Sequence, residues 1–241
     1  MSKPTIVFVP GFWEGTTVYS AVTSILESQY QYQTRIIPLV STGTASPHHK
    51  TFADDVRYVR EAVEHLVNEG KEIVLVGHSA GAAVASEAVE SLAREERKEK
   101  GLEGGIGRLV FLAASLAPER ATIGDAPFFV NDGNRMYPRN PLSTLFNDIS
   151  TPTAEAFLKA QCTYQPTAKD YDAKITYCGW KDIPSIYLCC RADALLPVTM
   201  QEQCADMVGA ELESCSAGHM APLSQPGKVV EVIRRAAGEE I

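Results

Sequence analysis

Gly77-His78-Ser79-Ala80-Gly81 follows the apolar run Ile73–Val76 and precedes a stretch of small residues. G-x-S-x-G between a strand and a helix is the pattern of a nucleophile elbow. The serine sits on a strained turn that only small neighbours permit, and the following helix N-terminus favours negative charge. Such a serine needs a base, and the base needs an acid to orient it. Of five histidines, His78 lies inside the elbow and is expected to pack away from Ser79. His65 belongs to a helix, and His48-His49 to a polar loop. His219 follows the last strand candidate, Glu211–Ser216, and so falls on a loop at the carboxyl edge of a sheet, where ligands gather in open α/β folds. Asp193 follows the strand Ser185–Cys190 at the same edge, whereas Asp182 precedes it. The expected triad is therefore Ser79, Asp193 and His219. An oxyanion hole needs two N–H donors: Ala80, after the nucleophile, and Phe12, on the loop after the first strand, where Gly11 allows the turn.

The elements that must position these residues can be read from the periodicity. Strand candidates are Thr5–Val9, Arg35–Leu39, Glu72–Val76, Arg108–Ala113, Ser185–Cys190 and Glu211–Ser216. Several are continuous apolar runs, as strands buried on both faces of a parallel sheet require. Between them lie helical patterns: Thr51 as a cap before Phe52, Val56, Val59, Val63 and Leu66; the small-residue segment Ser79–Ala93; Val198–Val208; and Pro226–Ala237. Strands alternating with helices predict an α/β fold with a doubly wound, mainly parallel sheet. Residues 1–117 and 184–241 form the expected core. The stretch 118–183 breaks the rhythm, with no convincing strand, several prolines and nine aromatic residues. An excursion this long is expected to cover a site, so a helical cap is predicted, with helices near Leu142–Ile149 and Thr153–Cys162. The charged and then Gly-rich tract Arg94–Gly107 reads as a solvated helix end and a flexible connection, because a phosphate loop would follow a strand.

Val9-Pro10-Gly11-Phe12-Trp13, the elbow, Arg191-Ala192-Asp193-Ala194-Leu195 and Gly218-His219-Met220-Ala221 together resemble the compact α/β-hydrolase fold proteins. That group includes plant methyl esterases, hydroxynitrile lyases and many microbial hydrolases. The resemblance spans essentially the whole chain. It implies a six-stranded parallel sheet, a helical cap, and no metal or organic cofactor. Relatives commonly carry His before the first glycine, where this chain has Pro10. The hydroxynitrile lyases typically carry Thr at the position of Gly11 and Lys after the catalytic His, while this chain has the esterase-like pair Gly11 and Met220. The substrate site is expected to take in Gly11, Trp13 and Met220, with Phe128, Phe157 and Trp180 from the cap.

Composition removes other classes. The 241 residues carry 22 basic and 30 acidic side chains, a net charge of −8, and 45% apolar residues. Neither a nucleic-acid surface nor an anionic-membrane surface is expected from that balance, and no run of eighteen apolar residues is present to span a membrane. The N-terminus enters the first strand candidate within four residues, so no signal segment is expected. Six cysteines, at 162, 178, 189, 190, 204 and 215, show no CxxC pair or zinc spacing and read as small buried residues of a reduced, cytoplasmic chain. The expected function is hydrolysis of an ester, thioester or lactone of a small apolar molecule by a monomer or homodimer. A lyase or isomerase using the same pocket, and a hydrolase-like ligand receptor, remain as alternatives.

Overall fold

The computed structural model describes residues 3–45, 47–123, 129–160, 164–171 and 173–241. Among the described residues the strands, in chain order, are β1 (Thr5–Val9), β2 (Thr34–Ile36), β3 (Glu72–His78), β4 (Gly105–Leu112), β5 (Thr122–Ile123), β6 (Phe129–Asp132), β7 (Arg135–Pro138), β8 (Gln165–Pro166), β9 (Ala173–Lys174), β10 (Ser185–Cys190) and β11 (Glu211–Cys215). The α-helices among these residues are α1 (Ser20–Tyr30), α2 (Phe52–Asn68), α3 (Gly81–Glu87), α4 (Arg94–Glu99), α5 (Pro141–Thr144), α6 (Thr151–Ala160), α7 (Ala168–Tyr171), α8 (Val198–Val208), α9 (Ala221–Ser224) and α10 (Pro226–Ala236), several of them a single turn.

Six strands form one parallel sheet in the order β11-β10-β4-β3-β1-β2. The chain runs outward from β1 to β2, then returns to the other side of β1 at β3. That reversal opens a crevice beyond the carboxyl ends of β1 and β3, the place where open α/β sheets bind ligands. Every residue of β1 is buried, and so is every residue of β10. This double-sided burial explains why their sequences are apolar without alternation. Helix α2 starts at a capping box in which Thr51 and Asp54 satisfy each other's backbone N–H groups. Its buried stripe Phe52, Val59, Val63 and Val67 faces inward, and α2 packs on α3 as α1 packs on α10. Helix α3 is short and almost wholly buried, and its small side chains permit that close approach.

Two expectations need correction. Tract 94–107 is pinned rather than flexible: Arg97 is buried, and its guanidinium donates to the carbonyls of Val67, Glu103 and Gly104. The excursion between β4 and β10 is not purely helical. It holds the antiparallel pair β5–β9 and the three-stranded sheet β6-β7-β8 beside α5, α6 and α7. The β6–β7 hairpin turns at Gly133-Asn134 with Gly133 at φ 60°, the first loop position, where a type II′ turn takes glycine. The predicted helix at Leu142–Ile149 is only the single turn Pro141–Thr144, while the next one forms at Thr151–Ala160. Among the described residues, no helix is long and apolar enough to cross a membrane, and cysteines 178, 189, 190, 204 and 215 are free.

Candidate active site

Ser79 stands between β3 and α3 with φ 50°. A left-handed conformation at a non-glycine residue costs on the order of 1–3 kcal/mol and persists only where the surroundings enforce it. Here the end of β4 enforces it: the Ser79 N–H donates to the Leu112 carbonyl (3.0 Å), and the Ser115 N–H donates to the Ser79 carbonyl (3.1 Å). The loop after β1 presses on the elbow from the other side. A side-chain carbon on Gly11 would lie 2.9 Å from Ser79 Cβ, and one on Gly81 would collide with the Pro10 carbonyl. Both glycines are thus demanded by close approach.

His219 and Asp193 reach the same point from the ends of β11 and β10. His219 Nε2 lies 3.0 Å from Ser79 Oγ, and its Nδ1 lies 2.8 Å from Asp193 Oδ2. The Asp193 carboxylate also accepts the N–H groups of Leu195 and Leu196, each at 2.8 Å, and the Gln201 amide at 3.2 Å. Gln201 is buried and braces the strand end, accepting from the Cys190 N–H and donating to the Leu196 carbonyl. A single glutamine within helix α8 carries no sequence signal for this role, and the spacing argument passed over it. In this arrangement a hydroxyl can pass its proton to an imidazole whose other nitrogen is held by a carboxylate, the requirement for an activated serine nucleophile. Asp182 is remote: it precedes β10 and accepts from Tyr177 Oη at 2.7 Å.

Beneath the elbow lies a second acid–histidine contact. Nδ1 of His78 is 2.7 Å from Glu14 Oε1. Glu14 Oε2 accepts the Gly11 N–H (2.8 Å), and Nε2 of His78 is 2.9 Å from the His219 carbonyl. Burial alone would lower the pKa of His78, but the Glu14 charge and the His219 carbonyl together raise it. An acid three residues past Gly11 belongs to no motif, so the sequence carries no signal for the role of Glu14.

The side chains around the elbow are aromatic and aliphatic. Phe12 stacks edge-on with Tyr171 (5.0 Å between centroids), and Trp13 does the same with Phe129 (5.4 Å). Trp13, at φ 63°, donates its indole N–H to the Met136 carbonyl at 3.0 Å, tying the loop after β1 to strand β7. A small cavity of about 10 Å³ is lined by Phe12, Trp13, Leu145, Phe146, Phe157 and Met220, with Glu14 in its wall. Three expected substrate-site residues, Trp13, Phe157 and Met220, line this cavity, while Gly11 lies against the elbow, close to Ser79 Cβ. Trp180 does not: it lies in the turn before β10, whose Gly179 N–H bonds Ser86 on α3, at the end of the strand away from Asp193. Phe128 lies outside the described residues.

Excursion and core also meet through polar contacts. The Asn147 amide donates to the Ala192 carbonyl (2.7 Å), and Asp148 accepts the Gly218 N–H (2.6 Å). Ala192 and Gly218 immediately precede Asp193 and His219.

This geometry and sheet order agree with what the chain resembles. The family model "Alpha/beta hydrolase family" matches residues 6–232, and the chain belongs to that family. It is 29% identical to the α/β hydrolase nvfD of Aspergillus novofumigatus, over 100% of this chain and 99% of that protein. Among solved structures, polyneuridine aldehyde esterase superposes with a TM-score of 0.74 at 20% identity, covering 97% of this chain and 99% of the other. The methylesterase MES16 from Arabidopsis superposes with a TM-score of 0.72 at 17% identity, covering 98% and 99%. These two likenesses are of fold.

Proposed function

We propose that this hydrolase is a serine esterase, cleaving an ester, thioester or lactone of a small apolar molecule through an acyl-enzyme. Ser79 attacks the carbonyl carbon while His219 takes its proton. Asp193 holds the imidazole in the required tautomer and stabilises its charge. The N–H groups of Phe12 and Ala80 receive the oxyanion, His219 returns the proton to the leaving alcohol or thiol, and water then releases the acid by the same route. The observation that carries this reading is the unbroken line Ser79–His219–Asp193, at 3.0 and 2.8 Å, on a serine held at positive φ. An apolar substrate fits the wall of Phe12, Trp13, Phe157 and Met220, whose one charged neighbour, Glu14, is already engaged by His78 and Gly11. Residues 118–183 act as the cap over residues 1–117 and 184–241, and the chemistry calls for no cofactor.

The test is labelling with a fluorophosphonate, together with turnover of p-nitrophenyl esters of graded acyl length. We expect labelling at Ser79 and hydrolysis that favours short to medium apolar acyl groups. Labelling without turnover of any ester, thioester or lactone would overturn the hydrolase assignment in favour of other chemistry, or ligand reception, in the same pocket.

A further inference from the structure

We propose that Glu14 and His78 are positioning residues: a buried pair that ties the oxyanion loop after β1 to the loop that carries His219. The inference rests on the esterase reading for its consequence, but its geometry stands independently. Neither residue touches Ser79 Oγ, and neither is needed for the proton relay. Each instead spends its remaining polar atom on one of the two loops that must stay in register with the nucleophile. Glu14 fixes Gly11, the residue before the Phe12 N–H, at 2.8 Å. His78 holds the carbonyl of His219 itself at 2.9 Å, and the two rings lie 4.9 Å apart. The bridge therefore runs from oxyanion loop to base loop beneath the serine, through side chains 4% and 0% exposed.

The proton inventory of this bridge is constrained. A carbonyl can only accept, so Nε2 of His78 must carry a hydrogen. Nδ1 then faces a carboxylate oxygen at 2.7 Å. One further proton shared between Glu14 and His78 makes the contact attractive and leaves the pair neutral overall. Loss of that proton sets a lone pair against a buried carboxylate, which is costly without water. The other titratable groups facing the pair are Tyr19, from the turn before α1, and Asp193 and His219. The hydroxyl of Tyr19 is held protonated by burial and by Glu14. The negative charge of Asp193 favours the protonated pair. Glu14, His78 and His219 also offer ligand atoms within 4.8 Å of one another. Both ring nitrogens of His219 are already engaged by Ser79 and Asp193, and Nε2 of His78 by a carbonyl, so these donors fit the bridge better than a metal.

The experiment compares Glu14→Ala and Glu14→Gln with wild type from pH 6 to 10. It reads the fluorophosphonate labelling rate of folded Ser79, kcat and KM on a p-nitrophenyl ester, and thermal stability. Misplacing the oxyanion donor should lower the labelling rate and kcat of Glu14→Ala by about 10- to 100-fold, with KM within about threefold. Glutamine still accepts from Gly11 and can donate to a neutral His78 Nδ1, so Glu14→Gln should recover most of that loss near pH 7. The sign of the pH effect follows from the raised pKa of His78. Its contribution to stability is complete below the unfolded value of about 6.5 and is lost as pH rises through the folded value. Wild type should therefore lose melting temperature and labelling rate on the alkaline side, and Glu14→Gln should flatten both. If Glu14→Ala folds and labels as fast as wild type, the pair is mere packing and the proposal fails. If Glu14→Ala does not fold, Glu14→Gln decides alone, and an alkaline loss the same as in wild type overturns the proposal. A wild type that turns over no ester but labels at Ser79 would sink the esterase reading and leave this test intact.

Discussion

The carboxyl edge of the sheet and the excursion over it are built on different physical terms. At the sheet edge, Asp193 and His219 leave adjacent parallel strands with their side chains buried and every polar atom engaged. Displacing either would strand a buried charge or an unpaired donor, a cost of several kcal/mol. The excursion is held by aromatic edges, short strand pairs, hydrogen bonds at exposed residues and a few buried ones, from the Trp13 indole to the Met136 carbonyl, from Tyr171 Oη to Asp55 and from Ser41 Oγ to Gln165. Apart from those buried bonds, its contacts are weaker singly and cheaper to rearrange. Chemistry placed on the first region and substrate fit on the second would respond differently to mutation: the edge should affect every substrate alike, the excursion should sort them.

The largest expected effect breaks the edge. Ser79→Ala should remove fluorophosphonate labelling and lower kcat by about 10⁴–10⁶-fold for every ester tested. A surviving rate near wild type would remove Ser79 from the mechanism. Next comes Asp193→Asn, which preserves shape but favours the wrong tautomer of His219; a loss of about 10⁴-fold in kcat is expected. Asp182→Asn, at the other end of β10, should leave the rate unchanged, and steady-state kinetics on the two variants separates the assignments.

The same division governs how much could be read from the sequence. Strands β1 and β10 match their apolar runs residue for residue, and the capping box of α2 is visible in Thr51 and Asp54, because burial and local hydrogen bonding leave marks in adjacent residues. The candidate triad was legible because each member lies at or within a few residues of the carboxyl end of a strand. What lay hidden depends on contacts distant in sequence. Gln201 supports Asp193 from a helix with no local signature, and Glu14 pairs with His78 across 64 positions. The excursion was the least legible part, since aromatic composition does not say which rings meet. Even there one signal is present: Gly133-Asn134 between two short runs is a hairpin dipeptide.

A smaller effect should appear as a change of ratio. Phe157 sits in the wall of the small cavity with Phe146 and Met220, whereas Trp180 lies before β10, away from it. Phe157→Ala should shift kcat/KM ratios between long and short acyl esters by about 1–3 kcal/mol, with Ser79 still labelled. Trp180→Ala should leave the ratios alone. An equal loss for all substrates in Phe157→Ala would indicate damage to the fold, and a ratio change in Trp180→Ala would mean that the substrate extends to the far side of the excursion.

The smallest expected effect tests where the two regions join. Asn147 and Asp148 belong to the excursion yet hydrogen-bond the backbone immediately before Asp193 and His219. They also follow Leu145 and Phe146, which line the cavity, so a shift of this segment on substrate entry would reach the wall and the base together. Gly218 accommodates the contact: a side-chain carbon there would collide with Asn147 and Asp148. The bonds are at exposed residues, so each is worth about 0.5–1.5 kcal/mol, somewhat more for the charged Asp148. Asn147→Ala and Asp148→Ala should therefore lower kcat by about 3- to 10-fold, and to the same degree for long and short acyl esters. That uniformity is the informative part, because it is the signature of the sheet edge produced from the excursion. A changed substrate ratio would place this segment with Phe157 as part of the substrate wall. An unchanged kcat would show that the loops of Asp193 and His219 hold their geometry unaided, leaving the division between the two regions complete.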